Sequence, residues 1–143
     1  MELPVGLIAD AAREGNIYLF EDDCPVGVKG HMHVCLKVGE RVLLFSTCTS
    51  QTNTVLNYVK FLGYDANTFP CFKQDEVNKF RRDLTYVNCN NVTNLSKVEF
   101  ANLVKEGKIR PLDGELTEVQ IGQVVNGVKL STRVTDEVKA LLG

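Results

Sequence analysis

Between residues 31 and 38 the chain alternates with period two. Met32, Val34, Leu36 and Val38 fall on one side, and His31, His33, Cys35 and Lys37 on the other. Successive side chains of a strand point to opposite faces, so this pattern predicts a β-strand with an apolar core face and a polar face. Gly39-Glu40 supplies a tight turn, and Arg41 to Thr47 reads as the returning strand. A hairpin sets the end of its second strand beside the start of its first. The polar run Cys48-Thr49-Ser50-Gln51-Thr52-Asn53 is therefore expected next to His31 and His33.

Other patterns fill in the frame. A short helix is expected from Pro4 to Arg13, ended by Gly15, followed by a strand over Asn16 to Phe20 and a loop over Glu21 to Gly30. Val55 to Leu62 has helical spacing, and Thr68 to Phe72 and Thr85 to Cys89 have strand composition. Asn88, Asn90 and Asn91 then suggest a turn, because Asn bonds its own backbone. Ser96 with Glu99, and Thr117 with Gln120, carry the spacing of capping boxes and open two helices. Lys108 to Leu112 is a strand candidate, and a final helix starts near Thr132. Strands come first and helices gather toward the C-terminus. This is an α+β order, with a small β-barrel or strongly curled antiparallel sheet.

Composition narrows the class. The 143 residues hold no internal repeat, low-complexity tract or linker, which predicts one domain over residues 1–143. No apolar run approaches the roughly 20 residues of a membrane span. Met1-Glu2-Leu3-Pro4 lacks the basic start of a secretory signal, so a cytoplasmic location is expected. The five cysteines form no CxxC pair and read as reduced, mostly buried thiols. A net charge of −2 implies no broad basic surface for gripping duplex DNA. Local clusters, Lys29, Lys37 and Arg41 or Lys79, Arg81 and Arg82, still suffice for a few phosphates.

The candidate chemistry centres on the hairpin. His31 and His33 are the only histidines, two residues apart on one strand face and roughly 7 Å apart along the backbone. Two imidazoles there can divide acid and base duties. Thr49, Ser50 and Gln51 offer hydroxyl, amide and backbone N–H donors for phosphate oxygens. Lys37 and Arg41 add positive charge. An ordinary wet sheet face explains the same histidines without chemistry. A metal held by the His-x-His pair, with Cys35 or an Asp as third ligand, is a further alternative, although no such partner stands at a characteristic spacing.

The order of elements resembles the PemK/MazF-type toxins. Gly15-Asn16-Ile17-Tyr18-Leu19-Phe20 is similar to that family's opening strand, and Pro25-Val26-Gly27 with Gly30 to its Gly-containing loop. His31-Met32-His33-Val34-Cys35-Leu36 stands in place of its Arg-Pro-apolar strand. Val42 to Gln51 is similar to its next strand with a Thr/Ser-rich turn, and Leu116 to Leu142 to its C-terminal helical stretch. The resemblance implies an SH3-like barrel and a homodimer that cleaves single-stranded RNA without a metal or other cofactor, paired with an antitoxin protein. It places Thr49, with Ser50 beside it, at the family's Thr position. The family's catalytic Arg position is His31 here, so the permanently charged, bidentate phosphate ligand is missing from this strand. The expected reaction is attack of the ribose 2′-oxygen on the adjacent phosphorus. His31 and His33 exchange protons, and Thr49, Ser50, Gln51, Lys37 and Arg41 hold the phosphate. The rival expectation is a non-enzymatic interaction or inhibitor module on the same barrel.

Overall fold

The computed structural model describes residues 5–77, 80 and 82–143. Lys79 and Arg81 of the basic cluster, and Pro4 of the expected first helix, lie outside the described residues. Among the described residues six strands form one antiparallel sheet, curled into a half-barrel, with one α-helix before it in sequence, two between its strands and two after it. The strands are β1 (Asn16–Phe20), β2 (His31–Val38), β3 (Val42–Thr49), β4 (Cys71–Lys73), β5 (Leu84–Ser96) and β6 (Ile109–Glu115). Their order across the sheet is β4-β5-β3-β2-β1-β6. The helices are α1 (Val5–Asp10), α2 (Thr52–Phe61), α3 (Lys97–Lys105), α4 (Glu118–Leu130) and α5 (Asp136–Leu141). Among the described residues no helix is long and apolar enough to cross a membrane.

Both faces of the sheet are covered. Ile17, Val34, Leu36, Leu44 and Val87 pack with Val124 and Val128 of α4 and with Val138 of α5. On the opposite face Tyr18, Phe20, Cys35, Leu43 and Phe45 pack with Phe100 and Leu103 of α3 and Ile8 of α1. The aromatic centre of this second core is tight, with Tyr18 edge-on to Phe45 at 5.7 Å and to Phe100 at 5.3 Å. A strand buried on both sides has no polar face to show, and Leu43 through Cys48 are all buried.

This burial overturns the expected polar face of β2. His33 and Cys35 are each 0% exposed and belong to the second core layer. Val38 also departs from the alternation. Cys35 pairs with Phe45 but Lys37 with Leu44, so the register slips between them and Val38 packs with the second core rather than with Leu36.

The asparagine patch is not a turn between strands. Ser46 pairs with Val92 but Thr47 with Asn88, so the intervening residues bulge out of one continuous β5. Asn88 Oδ1 accepts the Asn90 backbone N–H at 3.0 Å, and Ser131 Oγ donates to Asn90 Oδ1 at 2.6 Å. The turn-forming chemistry is present, and it ties a bulge to the end of α4. Residues 66–68 form a 3₁₀ turn ahead of β4 instead of opening a strand. Both expected capping boxes form, Ser96 with Glu99 and Thr117 with Gln120.

Candidate functional site

His33 settles the local structure at the head of the hairpin. Its ring stacks on Phe20 with centroids 3.7 Å apart. Nε2 lies 3.2 Å from the Val28 backbone N–H, which has only a proton to offer, so Nε2 is the acceptor and Nδ1 carries the ring proton. Nδ1–H then donates to the His31 carbonyl at 2.9 Å, and the Thr47 hydroxyl donates to Nε2 at 2.8 Å. Burial pushes the His33 pKa down to about 4, against a smaller upward pull from the His31 carbonyl. The loop closes over this ring because Gly27 takes φ +70°, and a Cβ there would stand 2.5 Å from the Phe20 ring. His33 is thus a neutral strut tying the loop, β2 and β3 together. The structure does not give it a place from which to exchange protons with a ligand.

His31, two residues earlier, sits at the open end of the strand and lines a cleft of about 510 Å³. The expected neighbours meet it there: Thr49, Ser50 and Gln51 line the same cleft. The register accounts for this, since His33 opposes Thr47 and the strands run antiparallel toward His31 and Thr49. The floor is the more buried part, made by Leu19, Met32, Cys48, Thr85 and Leu112. Its exposed rim includes Ser50, Gln51, Thr54, Arg82 and Arg110.

Lys37 and Arg41 are not part of this site. Lys37 is six residues along β2 from His31, roughly 20 Å at the rise of a strand, and pairs with Glu14 at 3.9 Å. Arg41 lies exposed at the turn beyond it. The positive charge comes instead from Arg82, just before β5, and Arg110 on β6. Arg110 Nε pairs with Glu21 at 3.2 Å, which offsets part of its charge and holds it at the rim. No Asp or Glu lines the cleft among the described residues.

Two more features favour an anion. The N-terminus of α2 opens at the cleft, where its N-cap Gln51 makes no side-chain cap bond. The partial positive charge of a helix start is therefore left to other partners. Thr49 Oγ1 accepts the Gln51 backbone N–H at 3.2 Å, which fixes the turn and keeps the Thr49 O–H as a donor. Cys48 on the floor is not an available nucleophile, because burial raises its thiol pKa far above the usual range. Among the described residues no three His, Cys, Asp or Glu side chains come together as a metal-binding group.

Sequence reasoning located the cleft through its hairpin but missed Arg110 and Thr85. Arg82 was visible only as part of a basic cluster. The missing signal was neighbour order: β6 lies beside β1, and Leu19 is opposite both Arg110 and Met32. Comparison with protein-family models and with curated proteins finds no match for this chain.

Proposed function

We propose that this chain is a metal-independent endoribonuclease of the toxin-like kind that the PemK/MazF resemblance implies, acting on single-stranded RNA. The observation carrying this reading is the cleft in which His31, Thr49, Ser50 and Arg82 converge with no Asp or Glu in its lining among the described residues. In the reaction the ribose 2′-oxygen bonds to the adjacent phosphorus and the bond to the 5′-oxygen breaks. His31 takes the 2′ proton as general base, and the departing 5′-oxygen takes a proton from water. The products are a 2′,3′-cyclic phosphate and a 5′-hydroxyl. Arg82, the Thr49 and Ser50 hydroxyls and the start of α2 stabilise the charge that develops on the phosphorane oxygens. His33 acts through position alone, by holding the His31 carbonyl. Homodimer formation and an antitoxin partner belong to the same proposal.

The test is cleavage of a labelled single-stranded RNA by purified protein, with the ends identified. Wild-type protein should leave cyclic phosphates, and an RNA with 2′-deoxy positions should stay intact. His31→Ala should lower the rate by about 10²- to 10⁴-fold. Full activity in His31→Ala, or cleavage of the deoxy substrate, would refute the mechanism.

One observation favours a second reading, a non-enzymatic interaction module. Helix α2 and its C-cap expose Leu56, Phe61 and Leu62 at 40%, 78% and 58%, apolar surface that the fold leaves uncovered. If this reading holds, Phe61→Ser with Leu62→Ser removes the biological effect in cells while His31→Ala leaves it intact.

A further inference from the structure

We infer that the cleft seats one whole nucleotide unit, its phosphate at the cationic rim and its base on the apolar floor, and that Thr85 decides which base is accepted. This rests on the reading of the cleft as an RNA site and adds where the base goes. A site for phosphate alone needs only the rim. Here Leu19, Met32 and Leu112 extend the cleft inward as half-buried apolar surface, and the volume of about 510 Å³ falls within the range of small-ligand pockets.

The second observation is the pattern of missing hydrogen bonds. Among the described residues three buried side-chain polar atoms lack a partner: His31 Nδ1, Ser46 Oγ and Thr85 Oγ1. His31 and Thr85 both line this cleft. Thr85 is 2% exposed, in the floor next to apolar side chains, where an unpaired hydroxyl is a cost to the empty protein. Rotation about χ1 moves the Thr85 hydroxyl between staggered positions, one of which lets the floor present one donor or acceptor to a base edge. A site with one buried polar atom to satisfy discriminates against any base that leaves it unpaired. His31 stands between floor and rim, in reach of the sugar that joins them.

The experiment is titration of the full-length protein with the four nucleoside 3′-monophosphates and with inorganic phosphate, each as a separate probe. RNA cleavage is measured on the same preparation. Thr85→Val keeps shape and exchanges only the hydroxyl for a methyl, so it should fold normally, as melting of the variant will show. Nucleotides should bind about tenfold or more tighter than inorganic phosphate, with one base preferred. Thr85→Val should flatten that preference to within about threefold and leave phosphate affinity unchanged. Arg82→Gln should weaken every probe, phosphate included. Equal affinity for phosphate and all four nucleotides, a preference that survives Thr85→Val, or no binding of any probe would overturn the inference. Base-selective binding without RNA cleavage would keep it and refute the nuclease reading instead.

Discussion

Protonating His33 should unfold this protein more readily, and the size of the effect follows from its surroundings. In the folded chain Nε2 is occupied by two donors, the Val28 N–H and the Thr47 hydroxyl. A proton added there meets the Val28 N–H head-on, inside a buried layer where, among the described residues, no carboxylate bonds to the ring. The folded pKa is about 4, against 6.5 for an unperturbed histidine. Between those values the unfolded chain binds the proton and the folded chain does not. Stability therefore rises with pH across this window, and the contribution is lost as pH falls from 6.5 to about 4. At 1.36 kcal/mol per pH unit the difference amounts to about 3 kcal/mol. Below pH 4 both states are protonated and this loss stops growing.

The assay is urea unfolding at closely spaced pH values, for wild-type protein and for His33→Gln. Carboxylates titrate in both proteins, so the difference between the two curves isolates the imidazole. His33→Gln should be less stable at pH 7, because no glutamine rotamer reproduces the stacked ring together with its bonds to Val28, Thr47 and His31. Its deficit should shrink by about 3 kcal/mol as pH falls to 4. A deficit that stays constant across that range would refute the description of His33 as a buried neutral strut. It would return His33 to the wet face that the sequence suggests.

Other consequences are simpler to read. Thr85→Val and Ser46→Ala each remove a buried hydroxyl without a partner, so melting should show neutral to stabilising effects of up to about 1–3 kcal/mol. Gly127→Ala should destabilise by about 1–3 kcal/mol, since its Cβ would lie 2.6 Å from Cys89 Sγ and 2.9 Å from the Asn67 carbonyl. Adding Cys89→Ala should recover part of that loss in chemical unfolding. Alkylation of the native protein followed by mass spectrometry should label Cys71, the exposed thiol, ahead of the four buried ones. Burial raises the pKa values of Cys35 and Cys89 to about 12, so their labelling should require unfolding.

What was legible in the sequence was local. The capping boxes at Ser96 and Thr117 form because their donors and acceptors are three residues apart and need no tertiary information. The hairpin was equally plain, since a two-residue turn fixes which strand ends meet. Period-two alternation separates two faces of a strand, but it does not say that either face meets water. For β2 it sorted the residues correctly up to Leu36, where the register slip then moved Val38, and it misled about water because α1 and α3 cover the side that carries His33. The bulge in β5 was hidden for a related reason: Asn88 and Asn90 make the bonds of a turn inside a strand held by β3.

The charge of the site shows how far such locality reaches. The hairpin alone offers Lys37 and Arg41, both at the wrong end, and the strand has histidine where the resemblance places arginine. Sheet order supplies what the hairpin lacks. Pairing of β6 with β1 brings Arg110 across from Leu19, and pairing of β5 with β3 brings Thr85 and the approach containing Arg82 to the other side of the cleft. Glu21, just after β1, pairs with Arg110 Nε and offsets part of that arginine's charge, while Arg82 and the start of α2 reach the same cleft. Under the proposed ribonuclease reading, the cation that binds phosphate need not share a strand with the imidazole that moves the proton. It must only reach the same cleft, and an arginine side chain entering from a neighbouring strand or loop meets that condition with its fork of donors intact.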